Sequence, residues 1–111
     1  RLEQVLINLI SNAINYTPEG GDIFLSLAVL EDNARIIVKD TGIGISKEDL
    51  PHIFERFYRA EKSRSRKLQT GFGLGLSISN WIIERHKGRI EVDSSEGKGT
   101  TFALYLPLIN R

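Results

Sequence analysis

Apolar residues recur at intervals of three and four from the first positions of the chain: Leu2, Val5, Leu6, Leu9, Ile10, Ala13 and Ile14. That spacing lays one apolar stripe along a helix over residues 1 to 16, ended by Thr17-Pro18 and followed by Gly20-Gly21. The pattern starts at Arg1 with no capping residue ahead of it, which reads as a fragment trimmed from a natural N-terminal neighbour. The period then shortens to two. Ile23 to Leu30 and Ala34 to Asp40 read as strands, and Glu31-Asp32-Asn33 between them suits a tight antiparallel hairpin. A short helix is predicted from Ser46, a fitting N-cap with Asp49 three residues on, to about Phe54. Residues 55 to about 70 are polar, basic and aperiodic, as in a mobile loop. A second amphipathic helix follows, with Leu74, Ile78, Trp81 and Ile82 on one face and Lys87-Gly88 as its stop. Two more strands, Arg89 to Ser94 and Thr100 to Pro107, flank the turn Ser95 to Gly99. This order predicts an α/β (α+β) two-layer sandwich, a mainly antiparallel mixed sheet with helices on one face.

Composition narrows the chemistry. At 111 residues the chain is one domain with room for a core. Fifteen Lys and Arg against fourteen Asp and Glu leave a net charge of +1, so no overall field selects nucleic acid or an acidic membrane. The absence of cysteine removes disulfides, thiolate metal sites and thiol nucleophiles, and two histidines do not make a zinc cluster. No apolar run approaches the roughly 20 residues that cross a bilayer, so the chain is expected to be soluble, and a reducing compartment fits it.

Several clusters stand out. Gln4, Asn8, Ser11, Asn12 and Asn15 occupy the side of the first helix opposite its apolar stripe. Carboxamide oxygens ligate hard cations such as Mg2+, and their NH2 groups donate to phosphate; a solvated polar face reads the same residues without a ligand. Asp40 shares strand parity with Ile36 and Val38 and so heads for the buried face, where a carboxylate needs a donor. An exocyclic amine such as adenine N6 would serve, the glycines after Thr41 allowing close approach of a flat ligand. Turn amides near the strand end would also serve. Gly71, Gly73 and Gly75 open the second helix, whose N-terminus favours phosphate. Their spacing is neither the dinucleotide fingerprint nor a Walker loop. Arg56, Arg59, Lys62, Arg64, Arg66 and Lys67 read as a solvated loop or as a source of phosphate-neutralising charge. His52 and His86 have no acid partner at helical or strand spacing and are taken as structural or surface residues.

In order and spacing these motifs resemble the catalytic ATP-binding domain of bacterial sensor histidine kinases, within the superfamily of type II topoisomerases, Hsp90-type chaperones and mismatch-repair ATPases. QVLINLISNAINYTP (4–18) resembles the N box and DTGIGI (40–45) the first glycine box; FERFYR (54–59) resembles the F box and GFGLGL (71–76) the second glycine box. The resemblance implies a Bergerat-type fold over residues 1–111, with the ATP lid at about 55–72. It implies that Asn8 ligates Mg2+, that Asn12 contacts the ATP phosphates, and that Tyr16 lies against the nucleotide. Asp40 would accept from adenine N6, with Gly42 and Gly44 shaping the base pocket, Ile45 among the ATP-binding residues, and Thr100 bonding near Asp40 and the base. Asn15, Phe54, Arg59, Gly71, Gly73, Leu74, Gly75 and Leu76 complete the implied ATP-binding set, with no catalytic residue in the chain itself.

Three departures from the family accompany this. Asn15 stands where histidine kinases often carry Lys or Arg, the family's strand before the first helix is missing, and the phosphoaccepting histidine belongs to a dimerisation helix domain that the chain lacks. Alone, the chain is expected to bind ATP as a monomer without autophosphorylating. The intact protein is expected to be a homodimer that passes phosphate to a response regulator receiver domain, with this domain on the cytoplasmic side of a membrane-bound sensor and no nucleic-acid partner. The hydrolysing branches use a glutamate four residues before the first N-box Asn. Here that position is Gln4, which cannot act as a general base, so intrinsic ATPase activity is expected to be negligible. The alternatives are a nucleotide-sensing module without transfer activity and a serine kinase of the anti-sigma-factor type.

Overall fold

A computed structural model describes residues 1–55 and 74–108. Helix α1 spans Leu2–Tyr16 and buries Val5, Leu9, Ala13 and Tyr16. Thr17 takes an extended conformation (φ −107°, ψ 112°), as a residue before proline must, and this stops the helix. Ile14, assigned to the apolar stripe by its spacing, is 59% exposed.

Strands β1 (Ile23–Leu30) and β2 (Asn33–Asp40) form the predicted hairpin. Leu30 pairs with Asn33, so the loop is two residues long, and Glu31 enters the left-handed region at φ 53°. Strands β3 (Arg89–Ser95) and β4 (Gly99–Pro107) form a second hairpin. The sheet order is β1-β2-β4-β3, and every pairing is antiparallel. The two hairpins therefore join through β2 and β4, leaving β1 and β3 at the edges.

The short helix predicted from Ser46 is a turn followed by a 3-10 segment, Leu50–His52. Ser46 caps it as expected, its Oγ accepting from the Asp49 amide over 3.2 Å. Leu50 N bonds to Ser46 O four residues back at 3.0 Å, but Pro51 carries no amide to continue that pattern, and the bonds that follow, such as His52 N to Asp49 O at 2.9 Å, span three residues.

Helix α2, Leu74–Arg85, turns its buried face differently from the stripe read in the sequence. Leu76, Ser79, Ile82 and Ile83 are buried, whereas Ile78 and Trp81 are 47% and 55% exposed. Apolar residues lie on two sides of the helix, Ile78 and Trp81 on one and Leu76 and Ile83 on the other, so periodicity alone admits two faces, and packing on α1 selects one. Trp81 is partly covered by the Arg85 guanidinium, 5.1 Å from the ring. The helix ends in a Schellman motif, with Gly88 N donating to Ile83 O and Lys87 N to Glu84 O. Lys87, not Gly88, holds the left-handed position, at φ 66°. Gly88 is needed for another reason: a Cβ there would collide with the Tyr105 carbonyl oxygen of β4.

The core lies between the helices and the sheet, formed by Val5, Leu9, Ile83 and Ile82 from the helices and Val38, Phe102 and Leu104 from β2 and β4. Residues 56–73, which hold most of the predicted lid, lie outside the described residues, as do 109–111.

Candidate functional site

Strand parity carries Asp40 to the helix-facing side of the sheet at the C-terminal end of β2, where it is 4% exposed. Register sets Asp40 opposite Thr100 of β4, and Thr100 opposite Ser94 of β3, in one row across three strands. Asp40 Oδ1 accepts the Gly42 amide at 2.9 Å and the Thr100 amide at 3.2 Å. No described residue donates to Oδ2. Burial pushes the Asp40 carboxyl above the usual carboxylate range, against the opposing pull of the Gly42 and Thr100 amides.

The segment after Asp40 is pinned at Ile43 from two sides. Ile43 N donates to the Tyr16 carbonyl at the end of α1 (3.0 Å), and Gly97 N donates to the Ile43 carbonyl (2.7 Å). The chain passes so close to its neighbours that a Cβ on Gly42 would strike the Tyr16 carbonyl oxygen, and one on Gly44 the Ser95 carbonyl oxygen. Gly44 also sits at φ 75°, which disfavours any other residue.

Sequence reasoning missed Ser94. Its hydroxyl accepts from Ile45 N at 2.8 Å and donates to Gly99 O at 2.9 Å, so the 2.8 Å contact with Thr100 Oγ1 has threonine as donor. Thr100 thus serves Asp40 through its backbone and Ser94 through its side chain. The signal was parity: Ser94 follows Ile90 and Val92 on the inward face of β3. Ser79, likewise unremarked in the sequence, is 0% exposed in α2 and accepts from Asn8 Nδ2 at 3.2 Å.

Of the other residues singled out, Asn8 and Asn12 are half-buried on the flank of α1, while Asn15 and Gln4 are exposed. Tyr16 and Ile45 are buried in the core cluster, which Phe54 packs against from a half-buried position. Leu76 is itself a core residue at 5% exposure, so it supports the site from behind. Leu74 and Gly75 lie in the first turn of α2, and Arg59, Gly71 and Gly73 fall outside the described residues. His52, read as lacking an acid partner, has one: its Nδ1 lies 2.8 Å from Glu55 Oε2, three residues on, in an exposed pair. His86 Nδ1 bonds to the Ile82 carbonyl at 2.9 Å, a helix-end contact.

These features set a buried acceptor next to a closely packed glycine turn that is tied to the C-terminal end of the carboxamide-bearing helix. Among the described residues no three His, Cys, Asp or Glu converge on a possible metal position. Carboxamide oxygens, such as those of Asn8 and Asn12 on α1, are of the kind that suits a hard cation keeping phosphate and water as its other ligands.

A family model described as histidine kinase-, DNA gyrase B-, and HSP90-like ATPase matches residues 1–110. Among curated proteins, the chain is 50% identical over 109 residues to the sensor histidine kinase WalK of Bacillus subtilis (strain 168), covering 96% of this chain and 18% of that protein. It is 46% identical over 110 residues to the sensor histidine kinase RppB of Synechocystis sp., covering 99% of this chain and 24% of that one. The chain thus spans about a fifth of the length of these relatives. Among solved structures, a mycobacterial sensor histidine kinase, MprB, superposes with a TM-score of 0.79 at 29% identity, over 94% of this chain and 70% of the other. The catalytic domain of the histidine kinase ThkA superposes at 0.77 with 35% identity, over 95% of this chain and 65% of the other.

Proposed function

Because the chain belongs to the family of histidine kinase-, DNA gyrase B- and HSP90-like ATPases, we propose that it binds Mg-ATP and presents the γ-phosphate to a histidine on a separate dimerisation helix domain. The observation that carries this reading is Asp40. A buried carboxylate with one oxygen held by two backbone amides, and no described donor on the other, is an acceptor awaiting a ligand's N–H. Adenine offers one at N6, and guanine offers an acceptor at the same place. Gly42 and Gly44 form the wall of the base pocket, Ile45 backs it, and Tyr16 at the end of α1 lies against the nucleotide.

Asn8 and Asn12 face the phosphate end, where Asn8 contributes an oxygen to Mg2+ and Asn12 contacts phosphate oxygens. When bound, the cation neutralises phosphate charge. By the family resemblance Gly73 and Gly75 would sit beside the phosphates at the end of the lid, with Gly71 in the same ATP-binding set and Arg59 as an additional cation. No side chain of this domain needs to act covalently, since phosphoryl transfer is served by positioning and charge neutralisation. Gln4 at the place of the hydrolytic glutamate keeps water from being activated, so phosphate release by the domain alone should be negligible.

In this reading the partners are the dimerisation and phosphoacceptor helices of the same homodimeric protein and a response regulator receiver domain. The domain works on the cytoplasmic side of a membrane-bound sensor. Calorimetric titration with a non-hydrolysable ATP analogue and Mg2+ tests the reading. Binding that prefers adenine to guanine nucleotides supports it, and a folded chain that binds neither at millimolar nucleotide overturns it. Phosphotransfer to a separately supplied dimerisation segment then separates a kinase from a module that only senses nucleotide.

A further inference from the structure

The base pocket proposed above draws on three places in the chain: Asp40 at the end of β2, the segment Gly42 to Ile45, and Thr100 at the start of β4. Several of the bonds that join them run between backbone groups or end on Asp40 itself, as do those of Gly42 N and Thr100 N to Oδ1. Ser94, on the inward face of β3, joins two of the three places through its side chain. Its Oγ accepts from Ile45 N at 2.8 Å, donates to Gly99 O at 2.9 Å and lies 2.8 Å from Thr100 Oγ1. The strand start that it holds lies hard against β2, since a Cβ on Gly99 would strike the Asp40 carbonyl oxygen. Ile45 is 6% exposed and Thr100 3%, so an alanine at 94 would take a partner from each in a buried place.

Refusing the wrong base demands more rigidity here than binding the right one. Adenine N6 donates to Asp40 Oδ2 directly, whereas guanine O6 meets it acceptor to acceptor. A pocket that can widen admits a water whose two protons bridge those oxygens, and the penalty against guanine is then relieved. We propose that Ser94 is a specificity-determining residue: by tying Ile45 to Gly99 and Thr100 it fixes the gap beside Asp40, so that a purine with a donor at N6 fits and one with an acceptor at O6 is refused. The proposal rests on the reading of Asp40 as the adenine acceptor. Ser94 acts through its partners and not by contact with the nucleotide, which makes it a positioning residue.

The test is calorimetric titration of the chain with non-hydrolysable ATP and GTP analogues in Mg2+, for the wild type, Ser94→Ala, Ser94→Thr and Thr100→Val, each checked for folding by circular dichroism at the titration temperature. The quantity read is the ratio of the GTP-analogue to the ATP-analogue dissociation constant. Ser94→Ala should lower that ratio by about tenfold, the ATP analogue losing more affinity than the GTP analogue. A residue that served stability alone would weaken both analogues by one factor and leave the ratio unchanged. Thr100→Val cuts the same tie from its other end, keeps the backbone amide on Asp40, and should move the ratio in the same direction. Ser94→Thr, which keeps the hydroxyl, should retain the wild-type ratio. A wild-type chain that binds both analogues equally overturns the adenine reading and this proposal with it. A wild-type preference for the ATP analogue that Ser94→Ala retains overturns this proposal alone; where that variant is unfolded, the same preference retained by Thr100→Val overturns it. Ser94→Thr with the lowered ratio of Ser94→Ala also overturns it.

Discussion

Replacing Asp40 by Asn exchanges one carboxylate oxygen for an NH2 group and separates binding from folding. The amide oxygen of Asn can take over the bonds from the Gly42 and Thr100 amides, at 2.9 and 3.2 Å, so the strand end keeps its lock. The NH2 then occupies the place of Oδ2 and meets adenine N6 donor to donor. A hydrogen bond to a charged acceptor contributes about 1.5–3 kcal/mol, and leaving its donor unpaired in a closed site adds to the loss. Kd for an ATP analogue should therefore rise by roughly 30- to 150-fold, equivalent to about 2–3 kcal/mol.

Selectivity should move as well. Guanine O6 accepts where adenine N6 donates, so the preference for adenine nucleotides should narrow or reverse in Asp40→Asn.

Stability carries its own sign. Burial raises the Asp40 pKa above its ordinary 3.8, so the folded chain holds this proton to higher pH than the unfolded chain does. The associated stabilisation is complete below 3.8 and is lost as pH rises through the raised value. Asp40→Asn should remove that slope and melt at the same temperature as wild type or higher near neutral pH. Titration calorimetry with ATP and GTP analogues, paired with thermal unfolding across pH, reads all three quantities. A folded Asp40→Asn chain that binds the ATP analogue within about threefold of wild type would refute the adenine reading.

Gly44→Ala should cost about 2–4 kcal/mol by urea unfolding, because its Cβ meets the Ser95 carbonyl at a left-handed φ of 75°. Ser94→Ala removes the acceptor of the Ile45 amide and the donor to Gly99, so about 1–3 kcal/mol of stability and part of the nucleotide affinity should be lost together. Equal affinity in that variant would separate Ser94 from the base pocket. On the edge strand β1, Leu27 is 69% exposed. Leu27→Lys should leave stability within about 0.5 kcal/mol and reduce self-association at high concentration, measured by light scattering.

Much of the molecule was legible from local pattern. The three-four spacing of Leu2 to Ala13 located α1, period-two runs located the strands, and short turn sequences joined them into hairpins. Each depends on contacts between residues near one another in the chain, which a local window contains. Asp40 could be aimed at the buried face from parity alone, and the Gly42 and Gly44 positions stood out because close approach and positive φ leave few other residues possible. Ser46 read correctly as a cap, while Pro51 shortened what followed.

What only the tertiary structure decided comes from residues far apart in sequence. Pairing β2 with β4 puts the Thr100 amide on a carboxylate sixty positions earlier, and no pattern within either hairpin specifies that join. The buried face of α2 was ambiguous because apolar residues lie on two of its sides, and contact with α1 turned Ser79 inward in place of Ile78 and Trp81. Ser94 and Ser79 looked like ordinary polar positions because a hydroxyl has no pattern of its own. Their significance lies in the partner each one meets, and a partner seventy-one residues away, as Asn8 is for Ser79, is supplied only when the chain closes on itself.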